Sequence, residues 1–275
     1  MCPVGAGLWG MAILVRGNLV YGLPMRVFLA FVAWCFCVSP VLAEEQQCDA
    51  FGVGNRLPVL TRPALEQGTT LLCNSGYAAL ASTVSHGPLW VAEHLRAQDL
   101  AQAAQVPRSG HFYADPRWPG GAELSDYRRS KPYERGHMAP SGDQPNAQAQ
   151  AQTYALSNIV PQASVLNKGI WARLEKRVRL LARREGTLYV VTGPAFHLRP
   201  IATVGHDHVY VPSSVWKAVY APARNRAGVY VCKNVPVHPH CDQVTVQTLI
   251  RNVGVDPFPA VSDPVKAQAW RLPAP

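Results

Sequence analysis

"SNIVPQASVLNKGIWARLEKRVR", which runs from Ser157 to Arg179, joins an apolar segment to a long amphipathic one. The apolar part predicts a short strand over Tyr154–Pro161. The second part predicts a helix over Lys168–Glu185, and Gly186 is the type of residue that ends a helix. Apolar side chains recur at helical spacing and form its buried stripe: Ile170, Leu174, Val178 and Leu181.

A second stripe of the same helix carries polar groups. Asn167 stands where the helix is expected to begin, and Trp171, Glu175 and Arg179 follow at steps of four residues. Each step advances only about 40° around a helix, so the four residues share one slowly drifting face. In one interpretation, the amide, the carboxylate and the guanidinium belong to a functional site. In the other, Asn167 is an N-cap, Glu175 and Arg179 form a surface ion pair, and Trp171 is core.

An earlier segment, "YERGHMAPSGD" (Tyr133–Asp143), contains a single histidine between an Arg-Gly pair and a Met-Ala-Pro turn. A histidine is the side chain best suited to accept a proton near neutral pH. Gly136, just before His137, would let the backbone approach a ligand closely. Taken alone, a histidine in a loop is more often structural than catalytic, so this segment is a weak signal by itself.

The flanking sequence predicts many strands and few helices. Residues 44–68 are expected to be an irregular arm and residues 106–150 a long ordered loop region. The further predicted strands are Gly76–Thr83 and Pro88–Leu95, which form a hairpin, then Thr187–Gly193, His208–Ala221 and Ala227–Asn234. Helices are expected at Ala97–Gln105, where an Ala-rich connection is the alternative, and at Val244–Gly254. Because no βαβ rhythm is present, the pattern predicts an α+β fold on a central, mostly antiparallel sheet flanked by helices.

The first 43 residues have the layout of a secretory signal peptide. Met25 and Arg26 open a charged start, Val27–Val38 is an apolar run, and "VLA" ends at Ala43 with small residues. The run is shorter than the roughly 20 residues needed to span a bilayer. We therefore predict an N-terminal extension and signal peptide over 1–43, starting at Met25 and cleaved after Ala43. A start at Met1 or Met11, or an uncleaved anchor, is the alternative.

Export has consequences for the rest of the chain. It predicts a periplasmic or secreted protein without stable membrane association after signal removal, one domain over 44–260 and a flexible tail over 261–275. Of seven cysteines, four lie beyond residue 43. An even number in an exported protein suggests two disulfides. Three connectivities are possible, and we favour the local pairs Cys48–Cys73 and Cys232–Cys241. No two of these four cysteines have the close spacing typical of a zinc site.

The chain is basic, with 26 Lys and Arg against 17 Asp and Glu, a net charge of +9. Cleavage after Ala43 removes Arg16 and Arg26 and no acidic residue, which lowers the charge by two to +7. This balance favours a polyanionic partner: nucleic acid, anionic lipid or acidic polysaccharide. Hydrophobic residues make up 48% of the chain, which argues against global disorder.

Together, the two quoted stretches closely resemble the active-site region of the DNA/RNA non-specific endonucleases, the ββα-metal nucleases related to the mitochondrial endonuclease of cell death. That family's motifs read Asp-Arg-Gly-His, Ser-Asn-Ile-x-Pro-Gln, and Asn-x-Gly-x-Trp-x-x-Leu-Glu with an Arg four residues on. The corresponding segments here are Glu134–His137, Ser157–Gln162, Asn167–Glu175 and Arg179. The likeness extends more loosely from Phe112–Asp115 through Val191–Phe196 and covers most of the chain after residue 43.

The resemblance implies a role for each matching residue. It makes His137 the general base and Asn167 the direct ligand of a Mg²⁺, for which Mn²⁺ can substitute. It makes Glu175 a ligand through water, and it gives Arg135 and Arg179 contacts with phosphate. Asn158 would support the site, and Arg108 is a loose candidate for substrate contact. Glu134 departs from the family's Asp, and its extra methylene would displace the carboxylate by about a bond length.

We therefore expect an exported, Mg²⁺-dependent endonuclease that hydrolyses phosphodiester bonds of DNA and RNA without sugar specificity. A homodimer is possible, because some members of the family dimerise. One alternative is a catalytically weak or inactive nucleic-acid-binding relative, and Glu134 is the feature that favours it. A third interpretation is a copper or zinc site built from His206–His208 and His238–Cys241.

Overall fold

The computed structural model describes residues 48–275. The predicted signal peptide, residues 1–43, lies outside the described residues. Within them, antiparallel strands form a central sheet that carries helices on both faces. The strands are β1 (Val59–Leu60), β2 (Thr69–Cys73), β3 (Ala78–Ser82), β4 (Gly87–Arg96), β5 (Tyr133–His137), β6 (Ile159–Ala163), β7 (Thr187–Ala195), β8 (Thr203–Val204), β9 (Val209–Tyr210), β10 (Ser214–Ala221), β11 (Arg226–Lys233), β12 (Cys241–Val244) and β13 (Val255–Asp256).

In the described residues the helices are fewer than the strands. They are α1 (Ala97–Ala103), α2 (Ala147–Gln152), α3 (Ser164–Leu166), α4 (Ala172–Glu185), α5 (Val246–Val253) and α6 (Asp263–Ala267). A π-helical stretch, Asn167–Trp171, joins α3 to α4. Single 3₁₀ turns lie at Pro63–Leu65, Leu124–Tyr127, Ser141–Asp143, Leu156–Asn158 and Pro222–Arg224. In the described part of the chain, no helix has the length and apolar character needed to cross a membrane.

The central sheet has seven strands in the order β12-β11-β10-β7-β4-β3-β2. Every neighbouring pair is antiparallel. Three two-stranded ribbons lie outside it: β1 with β13, β5 with β6, and β8 with β9. The predicted α+β fold with an antiparallel sheet flanked by helices is therefore confirmed.

A separate core covers each face of the sheet. Strand β10 shows the division, because Val215 and Val219 belong to one apolar cluster whereas Trp216 and Ala218 belong to the other. The first cluster contains the predicted α4 stripe, of which Leu174, Val178 and Leu181 are buried and Ile170 is partly buried. The second contains Val246 and Leu249 of α5 together with Phe258. Each fully buried side chain of this size contributes roughly 1.5–3 kcal/mol relative to an exposed one, so both faces stabilise the fold.

Several elements differ from the sequence prediction. The strand predicted over His208–Ala221 is two strands, β9 and β10, because the intervening segment contains Pro212, which has no N–H to donate to a ladder. Strand β5 lies within the region predicted as loop, and β6 begins five residues later than the predicted Tyr154–Pro161 strand. Strands β2 and β12 were not predicted. Helix α4 ends as predicted before Gly186, whose φ is +81°.

The chain ends are tied to this framework. The disulfides Cys48–Cys73 and Cys232–Cys241 form as predicted. Residues 261–275, for which the composition predicts a flexible tail, contain α6 and pack along β11 and β12. The Trp270 N–H donates to the Ala227 carbonyl, the Leu272 N–H donates to the Gln243 side chain, and Leu272 is buried. Proline and alanine dominate the composition there, but one tryptophan and one leucine are enough to anchor the segment.

Candidate active site

The two quoted stretches fold against each other. Strand β5 pairs antiparallel with β6 in a register that places His137 opposite Ile159 and Glu134 opposite Gln162. The chain passes from β6 directly into α3 and the π-helical stretch, so two strands and a helix form one compact unit. This is the ββα arrangement that the resemblance implies, and it carries His137 on a strand and Asn167 on the helix that follows.

Asn167 lies inside the helix and does not cap it. Its φ and ψ are −56° and −51°, and the helical segment already begins at Ser164. Two residues later, Gly169 adopts φ −100° and ψ −110° and breaks the regular helical geometry. The Asn167 Nδ2 donates to Glu134 Oε2 at 3.3 Å. Because the nitrogen is engaged in this way, the amide oxygen is the free end of the side chain, and the N-cap interpretation is wrong.

A cleft of about 1160 Å³ opens along this unit. It is lined by all the predicted site residues except Asn158: Arg108, Glu134, Arg135, His137, Asn167, Glu175 and Arg179. Its charged lining consists of six cations and two carboxylates: Arg108, Arg128, Lys131, Arg135, Lys168, Arg179, Glu134 and Glu175. A concave surface with this excess of positive charge concentrates anions.

His137 is held as a neutral imidazole. Its ring packs edge-on against Tyr154 at 5.0 Å and tilted against Phe112 at 5.3 Å, measured between ring centroids. Burial, together with the smaller effect of the positive charge of Arg108, lowers the pKa of His137 to about 3. Nε2 is closed off from solvent and has no hydrogen-bond partner among residues 48–275. The nitrogen left to exchange a proton with the cleft is therefore Nδ1.

Asn158 lies behind the cleft and holds the turn after His137. Its Oδ1 accepts a hydrogen bond from the Ala139 N–H at 2.8 Å, and its Nδ2 donates to the carbonyls of Ala139 and Thr153, each at 2.9 Å. The side chain is fully buried. It therefore fixes the backbone two residues beyond the imidazole and does not face the cleft.

Packing against the neighbouring strand explains the glycine at position 136, and the predicted close approach of a ligand does not. A Cβ at this position would collide with the side chain of Gln162, which packs over it from the neighbouring strand. Gln162 is completely buried. The glycine therefore makes room inside the β5–β6 ribbon.

Glu134 bridges two residues at the start of the helix. Its Oε1 accepts from Lys168 Nζ at 2.5 Å while its Oε2 accepts from Asn167. Burial raises the pKa of Glu134, but hydrogen bonds from Lys168, Ser164 and Asn167 outweigh that effect, and the pKa lies below its usual value. The carboxylate is thus ionised, and it is engaged with two protein donors.

Arg179 and Glu175 do not form the surface pair that the helical spacing suggested. Arg179 Nη1 donates instead to Asp143 Oδ1 at 2.6 Å, and the Asp143 carboxylate is 4% exposed. Burial raises the pKa of Glu175 to about 7, an effect that Lys217 opposes and Asp143 reinforces. Arg135 is fixed differently, because its guanidinium carbon lies 4.3 Å from the centroid of the Phe112 ring in a cation–π contact.

The sequence is similar to those of a known family of proteins. The model of the DNA/RNA non-specific endonuclease family matches residues 59–263. The chain belongs to this family. Among curated relatives, it is 36% identical over 197 residues to "Nuclease EXOG, mitochondrial" of Danio rerio, covering 63% of this chain and 56% of that protein. It is 33% identical over 193 residues to "Endonuclease G, mitochondrial" of Homo sapiens, covering 64% and 62%.

A fungal relative and a solved structure agree with this placement in the endonuclease family. "Nuclease C1" of Cunninghamella echinulata var. echinulata is 35% identical over 158 residues, covering 51% of this chain and 61% of that protein. The chain thus spans between about half and two thirds of the length of these curated relatives. The structure titled "Crystal structure of the EndoG/EndoGI complex: Mechanism of EndoG inhibition" superposes with a TM-score of 0.61 at 27% identity, covering 68% of this chain and 86% of that one.

The donors in the cleft of this endonuclease-family chain suit a hydrated Mg²⁺ better than a softer metal. Asn167, Glu134 and Glu175 offer amide and carboxylate oxygens in the lining of the cleft, and Mg²⁺ keeps several waters and needs few protein ligands. Zinc and copper require a cluster of nitrogen or sulfur ligands. Residues 48–275 contain no group of three His, Cys, Asp or Glu side chains able to hold a metal. His206 is 97% exposed and pairs with Asp207, so the third interpretation has no structural support.

Sequence reasoning missed two charged residues of this region. Asp143, the partner of Arg179, closes the quoted Tyr133–Asp143 stretch, but its pairing with a helix 36 residues later has no local signal. Lys217 lies in the strand segment "SVWKAVYA" and was counted only as part of a strand. A charged residue at the inward position of an otherwise apolar strand was the available sign.

Proposed function

We propose that this chain is an exported, Mg²⁺-dependent endonuclease that hydrolyses phosphodiester bonds of DNA and RNA, with Mn²⁺ able to substitute for Mg²⁺. One observation carries the proposal. The imidazole of His137 and the amide of Asn167 line the same basic cleft, although 29 residues of chain separate them. A proton acceptor and an oxygen ligand beside a surface that attracts phosphate are the parts that phosphodiester hydrolysis requires.

The substrate class follows from the lining of the cleft. Six Lys and Arg side chains line it, and contacts of such groups with phosphate carry affinity but no sequence information. Cations can contact the phosphates of a deoxyribose backbone and of a ribose backbone alike, so we infer that DNA and RNA are both bound. Binding of this kind weakens steeply with salt, which gives a direct test by titration of KCl.

His137 accepts the proton of the attacking water at Nδ1, because it is neutral and Nε2 is closed off. Arg135, held over Phe112, and Arg179, held by Asp143, present positive charge to the phosphate as negative charge develops on it. Mg²⁺, when bound at Asn167, would withdraw charge from the phosphate and polarise a water that protonates the leaving oxygen. Glu175 faces the same cleft and would orient the water molecules of a bound Mg²⁺.

The metal assignment has its own test. Asn167→Ala removes the amide oxygen and leaves Glu175 and the cations in place. We expect the Mg²⁺ concentration for half-maximal cleavage to rise at least about tenfold, since a one-residue binding site loses its direct ligand. An unchanged Mg²⁺ titration would mean that Asn167 is not the ligand.

A second candidate function rests on Glu134. Its carboxylate is bonded to Lys168 and Asn167, and a carboxylate held in this way has less capacity to orient water. This favours a weakly active or inactive chain that binds nucleic acid. Plasmid nicking separates the two candidates: cleavage with MgCl₂ that EDTA abolishes supports the nuclease, and shifted but uncut plasmid in MgCl₂ supports the binder.

Export is a separate proposal. The signal-like segment before Ala43 motivates it, and the two disulfides are typical of oxidising compartments. Two of the relatives are named as mitochondrial proteins, and mitochondria are therefore the competing destination. Expression of the full chain followed by N-terminal sequencing of the periplasmic and medium fractions decides between them: a mature start at Glu44 supports export.

A further inference from the structure

A buried polar cluster lies behind the cleft, on the face of the sheet that packs against α4. Its members are nearly or completely inaccessible to solvent: Glu93, Asp143, Gln144, Gln162, Thr192 and Lys217. Buried charges are rare unless they are paired or functional. Neither the apolar core nor the proposed chemistry explains why a lysine belongs here.

Lys217 is placed by the register of the sheet. It lies opposite Thr192 on β7, between Val215 and Val219, which share its face of β10 and belong to the apolar cluster around α4. Its Nζ donates to Thr192 Oγ1 at 2.5 Å. The side chain is 1% exposed, so the ammonium depends on protein partners for its hydrogen bonds.

The other contacts of Lys217 join the two halves of the candidate site. Nζ lies 3.4 Å from the carbonyl oxygen of Met138, the residue that follows His137. It also lies 5.4 Å from the centroid of the Trp171 ring, on the helix that carries Asn167 and Glu175. One ammonium group therefore contacts the end of β5, the helix and the central sheet at once.

The charges around Lys217 give it a second effect. Glu93, Asp143 and Glu175 bring three carboxylates into the region, whereas Arg179 and Lys217 supply the positive charge. Burial raises the pKa of Glu93 well above its usual value and that of Glu175 to about 7, and the positive charge of Lys217 opposes both increases. Lys217 therefore also offsets part of the negative charge that these three carboxylates bring to the region.

We propose that Lys217 is a positioning residue of the candidate active site, whose buried ammonium fixes the backbone after His137 relative to the helix that presents Asn167. The inference rests on the proposed function. A wholly apolar set of side chains would pack in this region and avoid the desolvation of its charges, so stability alone gives no reason for a buried lysine among carboxylates. Misplacement of reacting groups by about 1 Å can cost up to about a hundredfold in rate.

Lys266 provides a matched control, because it is a second buried lysine on the other side of the molecule. It is 6% exposed, and its Nζ pairs with Asp256 Oδ2 at 2.6 Å. Lys217→Met and Lys266→Met thus remove the same group from two buried positions. Both variants should unfold at lower temperature than the unaltered protein, since each leaves buried carboxylates without their cation.

Three quantities are measured on each variant: kcat and KM for plasmid DNA with MgCl₂, and the affinity for MnCl₂ without nucleic acid, by electron paramagnetic resonance. For Lys217→Met we expect kcat to fall at least about tenfold and Mn²⁺ binding to weaken several-fold, with KM within about twofold. For Lys266→Met we expect all three to match the unaltered protein. Equal kcat and equal Mn²⁺ affinity in the two variants would overturn the inference.

Thr192→Val covers the case in which Lys217→Met does not fold. It is nearly isosteric and removes the Oγ1 anchor while leaving the lysine in place, so we expect a smaller loss of kcat and Mn²⁺ affinity in the same direction. Values equal to those of Lys266→Met would overturn the inference here too. An unaltered protein that binds DNA and never cleaves it would contradict the proposed function instead, and the Mn²⁺ affinities would then decide the inference by themselves.

Discussion

The two faces of the central sheet are packed by different means. On the α5 face, the strands contribute apolar side chains such as Trp216 and Val229, which form a hydrophobic cluster. On the α4 face, the same strands also place Lys217, Thr192 and Glu93 among apolar residues, directly behind the cleft. The contrast teaches that one sheet serves two purposes: one face stabilises the fold, and the other also holds charges in place for a site.

The most severe test of this contrast removes the histidine of each face. His137→Ala should lower kcat by about 10² to 10⁴ while DNA is still bound, because general-base catalysis contributes about that much. His94 is the matched control on β4, where it stacks on Tyr189 at 4.1 Å and lies on the opposite face from Glu93. His94→Ala should keep kcat near that of the unaltered protein. Single-turnover cleavage and a filter-binding assay measure both effects, and near-normal turnover of His137→Ala would remove the proposed base.

A pair of core truncations compares the faces through packing alone. Leu174 and Leu249 are each almost fully buried, one on α4 and one on α5. Each Leu→Ala change should destabilise the protein by about 2–5 kcal/mol through the cavity it leaves, as measured by urea unfolding. At 25 °C only Leu174→Ala should also lower kcat, since Leu174 adjoins Glu175 on the helix of the site. A similar kcat in both variants would show that the two faces do not differ in this respect.

The pH dependence of stability tests the burial of both histidines. Burial, together with the positive charge of Arg96, lowers the pKa of His94 to about 4, and burial, together with the positive charge of Arg108, lowers that of His137 to about 3. An unfolded histidine titrates near 6.5, so between pH 6.5 and these values the unfolded state binds more protons. Stability should therefore fall as the pH drops from about 6.5 toward 4.

Substitution assigns that loss to particular groups. His94→Asn and His137→Asn should each flatten the decline of unfolding free energy between pH 6.5 and 4, as followed by urea unfolding at several pH values. The pH profile of kcat should be unaltered by His94→Asn. A decline that persists undiminished in both variants would assign it to other groups.

The sequence predicted the five inner strands of the sheet because they are apolar runs with ordinary boundaries, as in β7 and β11, and it missed the two edge strands, β2 and β12. It identified residues that line the cleft through contiguous motifs, since Glu134–His137 and Asn167–Glu175 are each local in sequence. It failed where the cause was remote. The role of Asp143 depends on Arg179, that of Gly136 depends on Gln162, and that of Lys217 depends on a cross-strand threonine. Such dependences arise only when distant segments meet.

Glu134→Asp is the mildest test, because it removes one methylene group from a side chain that lines the cleft. The shorter carboxylate cannot span both Lys168 and Asn167, and we expect it to retain Asn167, its neighbour at the start of the helix. The substitution removes the ion pair with Lys168, whose side chain is 73% exposed. Exposed ion pairs contribute only about 0–1 kcal/mol to the free energy of unfolding. Unfolding free energy should thus be nearly unchanged, and kcat should stay within about threefold or rise.

Lys168→Met breaks the same ion pair from the other side and serves as the control for Glu134→Asp. It also removes a cation from the cleft, so KM for DNA should rise in this variant, with a shallower salt dependence, and not in Glu134→Asp. Steady-state cleavage at several KCl concentrations distinguishes the two. A large loss of kcat in Glu134→Asp, with Mn²⁺ affinity reduced as well, would mean that the site has been rebuilt around the longer carboxylate and that the Lys168 contact is part of its geometry.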